Sequence, residues 1–308
     1  MRRTDVCHFA LMVSAVGLSY LLPFELVLLS YVILGPAHYL TEISWLHDRK
    51  YFLPHRGIAL ALIIVALAAS FLENATWFGV IVWVAFVVCA LLAGVRTALQ
   101  GMVLVMLAAA VTAYLASQGP GFAIVGVLLP TLIHVSLFTL VFMTLGALRA
   151  RSAAQFGLVA LYLAVIAAIM IVPPSSATAI PPLAKLAQES FGNVPQALGR
   201  ALGMPGLKLD ARLTGLLSFV YTYHYLNWFI KAEVIRWADV PKARLALVAV
   251  LSAAATAFYF YNYVLGFAVL LSLSLTHVLL EFPLNSVSLR QLGAVAGETI
   301  LQRPRKRA

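Results

Sequence analysis

Seven histidines are spread along a chain of 308 residues in which only 10% of positions are charged. Four of them sit deep inside apolar runs. His38 lies in Gly35-Pro36-Ala37-His38-Tyr39-Leu40-Thr41-Glu42 and His134 in Pro130-Thr131-Leu132-Ile133-His134. His224 lies in Tyr221-Thr222-Tyr223-His224-Tyr225-Leu226-Asn227, and His277 in Thr276-His277-Val278-Leu279-Leu280-Glu281. An ionisable side chain inside a lipid-embedded segment is costly and marks a functional candidate. One such histidine would be read as a hydrogen-bonded packing residue; four invite a shared site. Neutral imidazoles suit iron, copper or zinc rather than magnesium or calcium. The chemistry to expect is therefore a buried transition-metal centre held by His38, His134, His224 and His277. The remaining histidines, His8, His47 and His55, lie beside basic segments, where side chains reach the interface.

Carboxylates repeat the pattern. Glu42 follows His38 by four residues and Glu281 follows His277 by four, one helical turn further on the same face. Each could ligate a metal, accept the N–H of a ligating imidazole and set its tautomer, or simply sit at the interface. Asn227 shares a face with His224 and is a polar candidate beside the metal. Tyr221, Tyr223, Tyr225 and Trp228 surround that histidine as candidate walls of a substrate tunnel, or as packing. Pro36 and Pro130 precede site histidines by two and four residues, and each frees a backbone carbonyl and kinks its helix there.

The elements that must position these residues follow from composition. The chain is 63% hydrophobic with a mean hydropathy of +0.97, far from the ~25% charged residues of a soluble domain. It reads as an all-α, polytopic integral membrane protein of about ten transmembrane helices with a metal site at the bundle core. The spans are 7–22, 24–46, 57–74, 76–94, 99–117, 121–148, 153–172, 213–236, 244–263 and 264–284. Residues 1–290 form one membrane domain, and 291–308 a short, poorly ordered basic tail. The segment 173–212 reads as amphipathic helix on the outer face, either a lid for a lipidic substrate or a connector. The run Phe258-Tyr259-Phe260-Tyr261-Asn262-Tyr263 reads as an interfacial aromatic belt.

Nearly all basic residues fall at one set of span ends, which places both termini in the cytoplasm and the chain in the cell inner membrane. The same placement makes the net charge of +10 a matter of topology rather than nucleic-acid binding. The N-terminus has no small-residue cleavage site and reads as an uncleaved first helix. Cys7 and Cys89 are too few for a disulfide framework. With this topology the second, sixth, eighth and tenth spans all run inward. Helix rise then puts their histidines about 21, 20, 16 and 20 Å from the outer face, in one layer near the middle of the bilayer.

Walker, GxSxG and HExxH motifs do not occur, nor do the HxxxH and HxxHH clusters of membrane desaturases and alkane hydroxylases. One mid-span histidine on each of four helices does not supply the stacked pairs that two b-type haems need. At Gly35-Pro36-Ala37-His38-Tyr39-Leu40-Thr41-Glu42 the chain resembles the Brp/Blh-type bacterial carotenoid cleavage dioxygenases, whose first histidine sits in a Gly-x-x-His motif followed four residues later by an acid. Here Tyr39 stands where that family usually has Gly, and Glu42 where it usually has Asp. The resemblance implies a non-haem Fe(II) held by histidines, with O2 splitting a lipid-soluble carotenoid to retinal-like aldehydes. Two other classes stay open: a transporter handling a metal or small solute, and a haem-binding electron-transfer protein.

Overall fold

The computed structural model describes residues 3–53, 55–71, 97–117, 132–174, 211–231 and 239–301, with 80, 83, 84, 182, 185 and 236 besides. The described residues are helical, with no strand among them. The helices are α1 (Arg3–Leu21), α2 (Pro23–Asp48), α3 (Arg56–Ser70), α4 (Ala98–Ser117), α5 (His134–Ala150), α6 (Ala153–Ile171), α7 (Ala211–Ile230), α8 (Lys242–Tyr261) and α9 (Tyr263–Leu301). Five stretches, in α1, α2, α6, α8 and α9, are long and apolar enough to cross a membrane. The expected span 76–94 and the expected outer loop 173–212 lie almost wholly outside the described residues, as do Pro130 and Cys89.

Local chemistry explains where these helices begin and bend. Pro23 opens α2, where its missing N–H is no loss, and the Ser152 side chain caps α6 by accepting from the Gln155 N–H. The Asn262 side chain does the same for α9, accepting from the Leu265 N–H at 3.1 Å. Midway along α2, residues Ser30–Leu34 form a π-turn that ends at Gly35-Pro36. Pro36 has no N–H to give the carbonyl of Val32, four residues back. The Thr256 hydroxyl of α8 donates to that carbonyl instead, at 2.8 Å, so the kink is satisfied from a neighbouring helix.

Four helices form an inner ring in which α2 packs on α7 and α9, and α5 packs on the same two. The others clothe it: α1 and α6 lie against α7, α8 against α2 and α9, and α3 against α9. Helix α7 is 20 residues long and has buried side chains on every side, among them Thr214, Phe219, Thr222, Tyr223 and Asn227. Enclosed by protein, it does not need the hydropathy of a lipid-facing span, and it is not among the five. Apolar clusters occupy the seams between ring and jacket, for example Ala59, Leu62 and Ala66 of α3 against Leu275 and Leu279 of α9. The small alanines let the two backbones approach, the usual device where lipid gives no hydrophobic drive for association.

Two sequence expectations are corrected here. The last helix does not stop at 284, nor does a loose tail begin at 291: α9 continues through Pro283 to Leu301. Its buried face extends as far as Ser288, with Asn285 and Ser288 following Glu281 into the interior, and beyond it the helix runs on with mostly exposed side chains. The aromatic run is also split. Phe260 and Tyr261 are exposed as a belt requires, whereas Tyr259 is fully buried because it turns inward to pack on Tyr263.

Candidate metal centre

Each ring helix contributes one histidine, and the four side chains meet at the centre of the ring. Ring centroids lie 4.8 Å apart for His38–His224 and 5.3 Å for His38–His277. They lie 4.9 Å apart for His134–His224 and 5.2 Å for His134–His277. The imidazoles therefore form a closed quadrilateral with the same adjacency as their helices, His38 opposite His134 and His224 opposite His277. All four are buried. A shared layer, expected from helix rise alone, is what the packing shows.

Within that quadrilateral, His38, His224 and His277 each offer a nitrogen within 4.8 Å of the other two. These three could hold a metal ion. His38 Nε2 lies 3.2 Å from Nε2 of His224, and two facing imidazole nitrogens can share either a proton or a cation. Two buried ring nitrogens, His38 Nδ1 and His134 Nε2, make no hydrogen bond, and His277 lies beside the Leu273 and Ser274 carbonyls. Unpartnered buried polar atoms are costly, and a borderline-soft divalent cation is the partner that imidazoles suit. The donor set thus fits a transition metal.

The surrounding residues orient the ring. His224 Nδ1 sits 2.8 Å from the Thr139 hydroxyl, which leaves Nε2 pointing inward when Nδ1 carries the proton. Thr139 was not evident from sequence, for a definite reason. At ~100° per residue, a position five after His134 lies on another face of an α-helix. The π-turn His134–Phe138 adds a residue to that turn and brings both side chains to the centre.

Glu42 stays with its own histidine, its Oε2 being 3.1 Å from His38 Nε2. Glu281 does not. Although four residues after His277, it places Oε2 3.2 Å from His134 Nδ1 on α5, and a side-chain hydrogen bond joins it to Glu42. The shared helical face gave the direction of Glu281, and the fold decides that the candidate ligand it meets is His134.

The aromatic residues divide. Trp228 lines a cavity of about 380 Å³ next to the histidines, together with His38, Glu42, His224, Asn227 and Glu281. The expected wall residues Tyr221, Tyr223 and Tyr225 are not on that cavity. Tyr225 is fully buried and its hydroxyl is 2.6 Å from that of Tyr39. Tyr223 packs between Phe219 and Tyr162, and Tyr221 packs on Tyr225. Tyr225 and Tyr223 thereby join α7 to α2, α5 and α6. Tyr39 itself stacks on His277 with 4.3 Å between centroids, and the Trp228 indole donates to Thr41 at 3.0 Å.

The cavity leads away from the histidines along the C-terminal stretches of α2, α5, α7 and α9, to Arg149, Lys231 and Gln291. One cavity walled by the same ends of all four helices means that they run in the same direction. It also means that the centre communicates with a polar, basic end of the bundle, and not solely with lipid. Lys231, half-buried at the end of α7, is attracted by both Glu42 and Glu281. It was read from sequence only as a topology marker, and nothing in its spacing singles it out.

No protein-family model matches this chain, and no curated protein or solved structure matches it either.

Proposed function

We propose that the chain is a multi-pass protein of the cell inner membrane, with both termini cytoplasmic, that works as a histidine-ligated non-haem iron oxygenase on a lipid-soluble substrate. The observation that carries the reading is the set of three imidazole nitrogens, from three separate helices, within 4.8 Å of one another. His38, His224 and His277 would hold the metal, with His134 as the fourth donor of the quadrilateral. When bound, Fe(II) would supply the electrons that activate O2. The chain's own residues do the rest. Thr139 orients His224, and Glu281 engages His134. Glu42 and Glu281 offset the charge of a dication. Tyr39 and Tyr225 close the centre on one side, and Trp228 borders the space where a substrate would lie. The resemblance around Gly35–Glu42 favours carotenoid cleavage to retinal-like aldehydes as the reaction.

Metal transit is the second reading, and the cavity that joins the centre to a basic end is the observation in its favour. A transporter needs a second opening, and the stacked pair of Tyr39 and His277 lies across that route. A haem reading is disfavoured by crowding. With neighbouring rings about 5 Å apart, a porphyrin placed between one pair would pass through the other.

Metal analysis and the visible spectrum of the purified protein separate these readings. Stoichiometric iron without a Soret band is the expected result. Folded His38→Ala and His277→Ala proteins that keep their full metal would overturn the shared site. Co-expression in a β-carotene-making host should bleach the pigment and yield retinal, and persistent colour at good expression would remove that substrate.

A further inference from the structure

The centre is closed to bulk solvent, with His38 1% and His277 2% exposed, so any metal that serves the function proposed above must have a route in. The two sides of the histidine layer differ in what they offer. On one side Tyr39 stacks on His277 and its hydroxyl meets that of Tyr225, an aromatic contact in which the two hydroxyls already pair with each other. On the other, the 380 Å³ cavity has room for about a dozen waters at ~30 Å³ each. Its walls carry polar groups from the histidines outward: Glu42, Glu281 and Asn227 within about one helical turn of them, then Ser288, and Arg149 and Gln291 at the helix ends. Asn227 is 2% exposed, and its Oδ1 has no hydrogen-bond partner. A carbonyl oxygen in that state within a membrane domain is tolerated where it lines a water-filled space.

Lys231 adds a second observation. It lines the same cavity as Glu42 and Glu281, with the ring face of Phe142 at 5.2 Å. A cation that enters between the two carboxyl groups therefore meets the lysine charge on its way.

We propose that this cavity is a hydrated half-channel through which a divalent transition-metal cation reaches the histidines from the basic end of the bundle. Glu42, Glu281 and Asn227 Oδ1 are the oxygen ligands it meets first, and Lys231 is the counter-charge it displaces. Oxygen ligands exchange water for the ion stepwise before it passes to the nitrogen donors, so dehydration is not required at once. The route rests on the metal reading, and the test separates the two.

In a Cys7→Ser, Cys89→Ser background, Ser288→Cys is treated with a charged, membrane-impermeant thiol reagent in inside-out and right-side-out vesicles. Ser288 is 3% exposed, whereas the lipid-facing Val250 is 65% exposed, so simple exposure predicts labelling at 250 and none at 288. A half-channel predicts the reverse: Ser288→Cys labels from the basic-end side alone and Val250→Cys from neither. After chelation, labelled Ser288→Cys protein should regain Fe(II) several-fold more slowly than unlabelled protein, and Lys231→Met should regain it faster than the unsubstituted chain. Failure of Ser288→Cys to label from that side, or reloading at the unlabelled rate, overturns the route. Slower reloading of Lys231→Met overturns the role of the lysine. An unsubstituted protein that takes up no metal overturns the function beneath the route, whatever the labelling shows. If Ser288→Cys does not fold, Gln291→Cys at the mouth carries the same test.

Discussion

The two halves of the bundle on either side of the histidine layer are built from the same helices and differ in their chemistry. Above the layer, polar atoms pair between helices: Tyr39 with Tyr225, Ser30 with Thr222, and Thr256 with the Val32 carbonyl. Each joins two helices and leaves nothing for a ligand. Below it, Asn227 Oδ1 lacks a hydrogen-bond partner, and Glu42, Glu281 and Lys231 line a cavity. Interhelical hydrogen bonds in membranes stabilise by ~0.6–2 kcal/mol each, so these pairs help to hold the upper half together. The lower half has interhelical pairs too, Trp228 with Thr41 and Arg149 with Gln291, but it also turns Asn227 and two carboxyl groups towards a cavity, as expected of a region shaped for something that comes and goes. A buried polar residue in this chain is thus read by its pairing and not by its type.

The largest expected effect lies in the layer that divides the halves. His277→Ala removes one of the three clustered nitrogens and should weaken metal binding by on the order of 100-fold or more, beyond the 10–100-fold typical of residues behind a ligand. Equilibrium titration against a metal-buffered chelator checks this. Thr139→Val should weaken binding by about 10-fold by freeing the His224 tautomer, with Thr139→Ser restoring it. Equal affinity in all three proteins would mean that Thr139 is packing alone.

The upper half is tested through stability. Tyr39→Ala removes a fully buried ring and should lower stability by about 3–5 kcal/mol, read as thermal unfolding in detergent. It should also admit the impermeant reagent from the sealed side, which would abolish the difference between the halves. Tyr39→Phe deletes only the hydroxyl and should cost about 1 kcal/mol with metal content unchanged. The smallest effect is expected outside both halves. Arg244 contacts both carboxylate oxygens of Asp48 at 2.7 and 2.8 Å, but the side chains are 33% and 42% exposed. Asp48→Asn should therefore cost no more than ~1 kcal/mol, less at high salt. It should leave labelling and metal content alone.

Much of this protein was legible in the residues themselves. Hydropathy and length outline α1, α2, α6, α8 and α9, because lipid imposes a composition on any helix that faces it. Helix rise, with the direction inferred from basic residues, put His38, His134, His224 and His277 in one layer. That inference needs the span ends, their direction and a rise of about 1.5 Å per residue. Helix α7 is the informative exception: protein surrounds it, so its hydropathy is that of an interior element, and Tyr223 and Tyr225, which the sequence offers as a tunnel wall or as packing, join it to its neighbours.

What tertiary structure alone decided is which neighbour each side chain meets. Spacing put Glu281 on the face of His277, but a carboxylate on a three-bond stem reaches across to an adjacent helix as easily as along its own, and the contact it makes is with His134. Spacing put Thr139 on the wrong face, because a π-turn changes the angular count and only the folded backbone shows it. No pattern in the chain indicated that one side of the histidine layer would be sealed and the other hollow. That difference lies between four helices, a property of their mutual packing that no single helix encodes.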